Sequence, residues 1–261
     1  LLAFRALRFY DAPLMSGHSP LHAGFETKSK WHFPAHRRGS RANSLEALEA
    51  RIAPALLIAP GLKSATYTDA DGDLVTVAVT KGNLKASDFT LVAAGAGEQL
   101  QLLDLHTDMV NGAPEFAGTS VTITARPGAA GGDGFAAIGR IDARGVDLAA
   151  VSIKGDLGVL DAGSGAAGHT AVASLTVASL GAYGLSTGAP DLVSNLTGKV
   201  GPVTVKSEVR DAELEITGAL TSLTVGGSIV GGAIAGGGCV SALSIGPVKI
   251  GGDLRGGSAA E

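Results

Sequence analysis

Val203-Thr204-Val205, Leu223-Thr224-Val225 and Leu243-Ser244-Ile245 follow one another at intervals of 20 residues. The same apolar–hydroxyl–apolar triplet stands upstream as Val75-Thr76-Val77, Phe89-Thr90-Leu91, Val121-Thr122-Ile123, Val151-Ser152-Ile153 and Leu175-Thr176-Val177. Successive side chains of a strand point to opposite faces, so each triplet turns two apolar groups one way and one hydroxyl the other. β-Branched residues suit that half-buried, pleated setting. Intervals of 24 (151 to 175) and 28 (175 to 203) separate earlier copies, and spacings of this size match one turn of a β-solenoid. Leu157, Val209 and Ile229 each stand six residues after a triplet begins, and Ile234 and Leu254 take corresponding places one turn apart. They predict a second short strand in each turn. Gly226-Gly227, Gly231-Gly232 and Gly251-Gly252 are expected at corners, where positive φ permits a tight bend. The expected fold is all-β: a parallel β-solenoid (β-helix) of roughly 20-residue turns over 121–261, behind a less regular β cap over 64–120. A β-sandwich is the competing fold, but it wants longer alternating strands and larger inner residues.

Composition sets limits on this reading. Hydrophobic residues make up 45% of the 261 and aromatics only 4%, so the core is aliphatic and narrow. The 39 glycines follow no three-residue period, which excludes collagen. Charge is divided along the chain. Residues 1–63 hold nine basic and four acidic side chains, a net +5, so the remainder carries −9 of the overall −4. A basic head on an acidic body reads as a disordered or processed segment over 1–42, with Met15 an alternative start to Leu1. An acidic folded part would repel phosphate, which argues against nucleic acid. The apolar run Ile52 to Leu62 is too short to span a bilayer and is broken by Pro54 and Pro60, so no transmembrane span is expected. Cys239 is the single cysteine; it allows no internal disulfide and is expected as a small buried apolar side chain.

Residues 43–63 read as a short helix and linker. Asn43 can cap a helix over 43–53, Glu46 and Glu49 lie toward its positive end, Arg51 toward its negative end, and Pro54 stops it. Within it, Leu48-Glu49-Ala50-Arg51-Ile52, with Leu56-Leu57 following, resembles the LEPR-XLL signature of large bacterial surface and secreted repeat proteins. Ala50 stands in place of the proline and Ala53-Pro54 in place of the leucine pair. Thr66-Tyr67-Thr68-Asp69-Ala70-Asp71-Gly72-Asp73, Gly132-Asp133-Gly134, Gly155-Asp156-Leu157-Gly158 and the stretch from Val248 to Leu254 also resemble segments of that group. The resemblance runs over about residues 44–261. It implies an exported, cell-surface β-repeat protein and no reaction.

Asp69, Asp71 and Asp73 have the alternate-residue carboxylate spacing of calcium loops, since a hard cation takes several oxygens. Gly72 at the fourth place departs from the EF-hand, and Asp71-Gly72 is equally a hairpin signal. Gly131-Gly132-Asp133-Gly134-Phe135 is similar to one unit of a calcium-binding nonapeptide repeat, which needs tandem copies. His32 and His36 have the spacing of two metal ligands, with Pro34 between them and no third ligand nearby. A sugar-cleaving enzyme needs paired carboxylates. Asp142, Asp147, Asp156 and Asp161 fall in adjacent turns, but capping of turns is the plainer reading. His106 and His169 have no serine elbow or cysteine partner. No catalytic residue is therefore assigned. The expected function is a non-enzymatic structural or adhesive module on the cell surface or outside the cell, meeting a surface protein or glycan. The alternatives are a calcium-stabilised adhesin and a carbohydrate-active β-helix enzyme. After the last turn, Leu243 to Gly257, no polar cap precedes Glu261, which predicts either a piece of a longer array or a last turn that frays or stacks on another molecule, with end-to-end self-association of the purified chain.

Overall fold

The computed structural model describes residues 56–129, 131–231 and 237–256, all within one compact unit, Ala50–Glu261. The basic segment 1–42 and the helix expected over 43–53 lie outside the described residues. Apart from the 3-10 turns Ala86–Asp88 and Gly184–Thr187, the regular structure described is all β.

The first eight strands are β1 (Leu57–Ile58), β2 (Ser64–Thr68), β3 (Asp73–Val79), β4 (Phe89–Ala94), β5 (Gly97–Asp104), β6 (Met109–Val110), β7 (Ala113–Pro114) and β8 (Val121–Pro127). Their mutual pairing is antiparallel: β1 with β2, β2 with β3, β3 with β8, β4 with β5 and β6 with β7. The β2–β3 hairpin turns at Asp69–Gly72, where Gly72 has φ 106° and the Gly72 N–H donates to the Asp69 carbonyl at 3.2 Å. The Asp-Gly signal is thus realised as a turn. Tyr67, Val75 and Val77 point into the core.

Parallel pairing follows through β9 (Ala136–Arg144), β10 (Leu148–Gly163), β11 (Thr170–Leu180), β12 (Val193–Leu196), β13 (Lys199–Val205), β14 (Val209–Arg210), β15 (Glu213–Val225), β16 (Ile229–Val230), β17 (Cys239–Ile245), β18 (Val248–Ile250) and β19 (Leu254–Arg255). It reaches back into the first strands, because β5 pairs in parallel with β9. Val121, Val151, Leu175, Val203, Leu223 and Val248 stand in one paired row; Ile123, Ile153, Val177, Val205, Val225 and Ile250 form a second. As far as Leu223 and Val225, both rows are buried. Each such side chain contributes about 1.5–3 kcal/mol on burial. Between them runs Thr122, Ser152, Thr176, Thr204 and Thr224, whose hydroxyl-bearing side chains are exposed or half-exposed. Leu157, Leu180, Val209, Ile229 and Leu254 form a third row. Val209, Ile229 and Leu254 lie on the short second strands β14, β16 and β19, whereas Leu157 and Leu180 continue the long triplet-bearing strands β10 and β11.

Four expectations need correction. The last copy of the triplet row is Val248-Lys249-Ile250, which pairs with Leu223-Thr224-Val225, so the final interval is 25 residues. Leu243-Ser244-Ile245 pairs instead around the preceding corner of β15, and Leu243 sits at a register shift, 83% exposed. For the same reason the partner of Leu254 one turn back is Ile229; Ile234, expected in that place, lies outside the described residues. Cys239 is exposed, at the start of β17. The corner glycines Gly226 and Gly251 do not have positive φ; a Cβ on either would collide with a backbone carbonyl of the turn before, of Lys206 and Gly226 respectively. Their value is close approach between successive turns.

The pairings also close on themselves. β10–β11, β11–β13, β13–β15, β15–β12 and β12–β10 make a five-stranded ring, a closed barrel in place of the simple open stack expected. The ring forms because β10 and β15 span 16 and 13 residues, enough to pass through a bend and pair on two sides.

Candidate metal centre

Asp69, Asp71 and Asp73 are brought together by the β2–β3 turn, with one carboxylate oxygen of each within 4.8 Å of the others. Local bonding fixes them. Asp69 Oδ1 accepts the N–H of Gly72 at 3.2 Å and of Asp73 at 2.8 Å. Asp71 Oδ2 accepts the N–H of Asp133 at 3.1 Å, and Asp73 Oδ2 accepts that of Gly134 at 2.6 Å. The hairpin and the β8–β9 loop are thereby tied together. Gly132, at φ 114°, is needed here, since a Cβ would overlap the Asp73 carboxylate.

The electrostatics of the cluster are unusual. Asp73 is fully buried, and its Oδ1 has no hydrogen-bond partner. Burial, and then a bond to the Asp71 carboxylate, push the Asp69 carboxyl up to about 7. The same bond holds Asp71 below the usual carboxylate range. Two acids that divide one proton in this way are the usual outcome of like charges at close quarters. Burial, Asp69 and Glu98 together raise the Tyr67 phenol well above its ordinary value, and the Tyr67 hydroxyl and Glu98 Oε2 are also buried without partners. Beside the cluster opens a cavity of about 190 Å³, lined by Asp69, Asp71, Gln99, Asp133, Phe135 and Tyr183 among others. Phe135 and Tyr183, far apart in sequence, thus meet at one cleft, and Lys154 Nζ lies 5.6 Å from the centre of the Phe135 ring. Nothing in the local sequence around either aromatic signals that meeting.

No family model, curated protein or solved structure matches this chain.

The other carboxylates singled out from sequence are held by internal partners. Asp104, Asp142 and Asp161 stack in register on β5, β9 and β10. Arg140 Nη2 lies 3.4 Å from Asp142 Oδ2 and 2.5 Å from Asp161 Oδ2, bridging the two. Arg144 donates to both Asp142 oxygens, from Nε at 2.9 Å and Nη2 at 2.8 Å. Burial raises Asp142, but these bonds, with Arg140 and His106, outweigh it and hold the carboxyl low. Asp156 accepts from Ser179 Oγ at 2.6 Å and from the N–H groups of Ala182 and Tyr183. Asp147 accepts from the Ser164 N–H and hydroxyl and pairs with His169 at 2.9 Å. His106 pairs with Asp104 at 2.8 Å. The missed partners were Arg140 and Arg144; on alternating positions of β9 they share a face with Asp142, the one local signal available. His32 and His36 lie outside the described residues. Among the described residues no helix is long and apolar enough to cross a membrane.

Proposed function

We propose that the parallel ladder is a β-solenoid and that the chain is a non-enzymatic structural or adhesive module, exported to the bacterial surface or beyond. The ring of pairings is then a corner through which β10 and β15 run. The observation that carries the reading is the hydroxyl row Thr122, Ser152, Thr176, Thr204 and Thr224, held in register over five strands by two buried aliphatic rows. Neighbouring strands lie about 4.8 Å apart, so the row is a regular array of hydroxyls on a stiff support. Such a face suits a partner rich in hydrogen-bonding groups, a glycan or a polar protein surface. The resemblance to LEPR-XLL repeat proteins points to the same compartment.

Adsorption of the purified chain to insoluble polysaccharides and to a panel of immobilised extracellular proteins tests the reading. We expect retention by one of these classes and a loss of about tenfold or more in the Thr176→Lys/Thr204→Lys double variant, with melting unchanged. Retention that ignores the double variant, or depolymerisation of a polysaccharide by the native chain, would refute it.

A further inference from the structure

We propose that Asp69, Asp71 and Asp73 bind one hard divalent cation, of calcium's size, and that this ion locks the β2–β3 hairpin to the β8–β9 loop. Clustered acids alone would carry no such conclusion. The deciding observation is Asp73: fully buried, with Oδ2 bonded to the Gly134 N–H and Oδ1 left without any partner. A buried carboxylate oxygen is costly unless something satisfies it. Three carboxylate oxygens within 4.8 Å of one another supply a facing set for an ion. Asp133, whose N–H donates to Asp71 and which lines the adjoining cavity, adds negative charge beside it. The nearby cation, Lys154, donates to the Ala125 carbonyl at 3.1 Å and sits over Phe135.

Calcium takes six to eight oxygens at about 2.3–2.6 Å and tolerates irregular geometry. The three aspartates provide part of that shell, and the adjoining cavity admits water for the rest. Magnesium demands a tighter octahedron and gives up water reluctantly, so a loose partial cage of this kind favours the larger ion. Asp71 and Asp73 each also accept an N–H from the β8–β9 loop, so an ion held by their carboxylates immobilises two segments more than 50 residues apart. This goes beyond the proposed surface role: it does not depend on what the hydroxyl face meets.

The full chain is titrated with terbium under tyrosine excitation, Tyr67 being buried beside Asp69, and its melting is followed with calcium, magnesium or chelator. Sensitised terbium emission that calcium displaces is expected. So is a rise in Tm of about 5–10 °C when calcium reaches a hundredfold excess over its Kd. Asp73→Asn should weaken binding about tenfold or more. Because that variant risks misfolding, Asp71→Asn, at an exposed position, should weaken binding similarly while keeping the native circular dichroism. Absence of terbium emission and of a calcium-dependent Tm shift in the folded native chain overturns the site. A magnesium response equal to that of calcium overturns the choice of ion, and unaltered affinity in a folded Asp71→Asn variant overturns the ligand set.

Discussion

Thr224 and Val225 are neighbours on β15 with opposite environments: Val225 is 1% exposed, whereas Thr224 lies in the outer row opposite Lys249. A carboxylate at Val225 has no partner and no water. Val225→Asp should cost at least about 4 kcal/mol and unfold the last turns. Thr224→Asp meets the Lys249 side of the ladder and should stay within about 0.5 kcal/mol. Chemical denaturation of both variants checks this, and equal losses would mean that the inward and outward faces are assigned wrongly. Asp69 makes a pH prediction of the opposite sign to the usual carboxylate. Its folded value, about 7, exceeds the 3.8 of an ordinary aspartate, so the folded state holds a proton that the unfolded chain releases. That stability is complete below 3.8 and is lost as pH rises through about 7. In chelator, Tm should therefore fall between about pH 4 and about pH 7, and Asp69→Asn should flatten the decline. A Tm that rises over this interval equally in both proteins would contradict the raised carboxyl.

At the scale of strands and turns, close stacking is set by glycine. A Cβ at Gly226 would meet the Lys206 carbonyl oxygen, which is backbone and cannot swing aside. Gly226→Ala should destabilise by about 1–3 kcal/mol. Gly61→Ala meets nothing within 4 Å and serves as a control, expected neutral to slightly stabilising. If the two melt alike, the turns do not approach as closely as described. The triplets from Val121 to Val225 were legible because alternation of two is a strong signal and each copy keeps its inward pair. The final turn was not: Leu243-Ser244-Ile245 and Val248-Lys249-Ile250 fit the same pattern, and only pairing with Leu223-Thr224-Val225 separates them. The acidic loop was readable as a turn and as a carboxylate cluster from Asp69, Asp71 and Asp73 themselves. Its tie to Asp133 and Gly134, and the meeting of Phe135 with Tyr183, arise from long-range packing that no local spacing encodes.

Over the whole molecule, apolar groups are not covered evenly. Leu243, Ile245, Val248 and Leu254 are all large and exposed, and all belong to the last described turn, whereas Leu220, Leu223 and Ile229, the partners of the last three in the turn before, are buried. A patch of this kind, beside strand edges that have no further partner among the described residues, favours contact with another molecule. The purified chain should self-associate as concentration rises, and Leu243→Lys with Val248→Lys should suppress this in sedimentation experiments; a native chain that stays monomeric throughout would remove the idea. The antiparallel β2–β3 hairpin has a consequence of another kind. Its strands are joined by a turn of four residues, Asp69–Gly72, whereas each parallel pairing waits for 19 or more residues to be looped back. Loop closure of that sort slows folding, and local pairs form first. The β4–β5 hairpin, turning between Ala94 and Gly97, is as local. Folding is therefore expected to start at these amino-terminal hairpins, with β8 docking on β3 and the parallel turns adding to an edge already laid down.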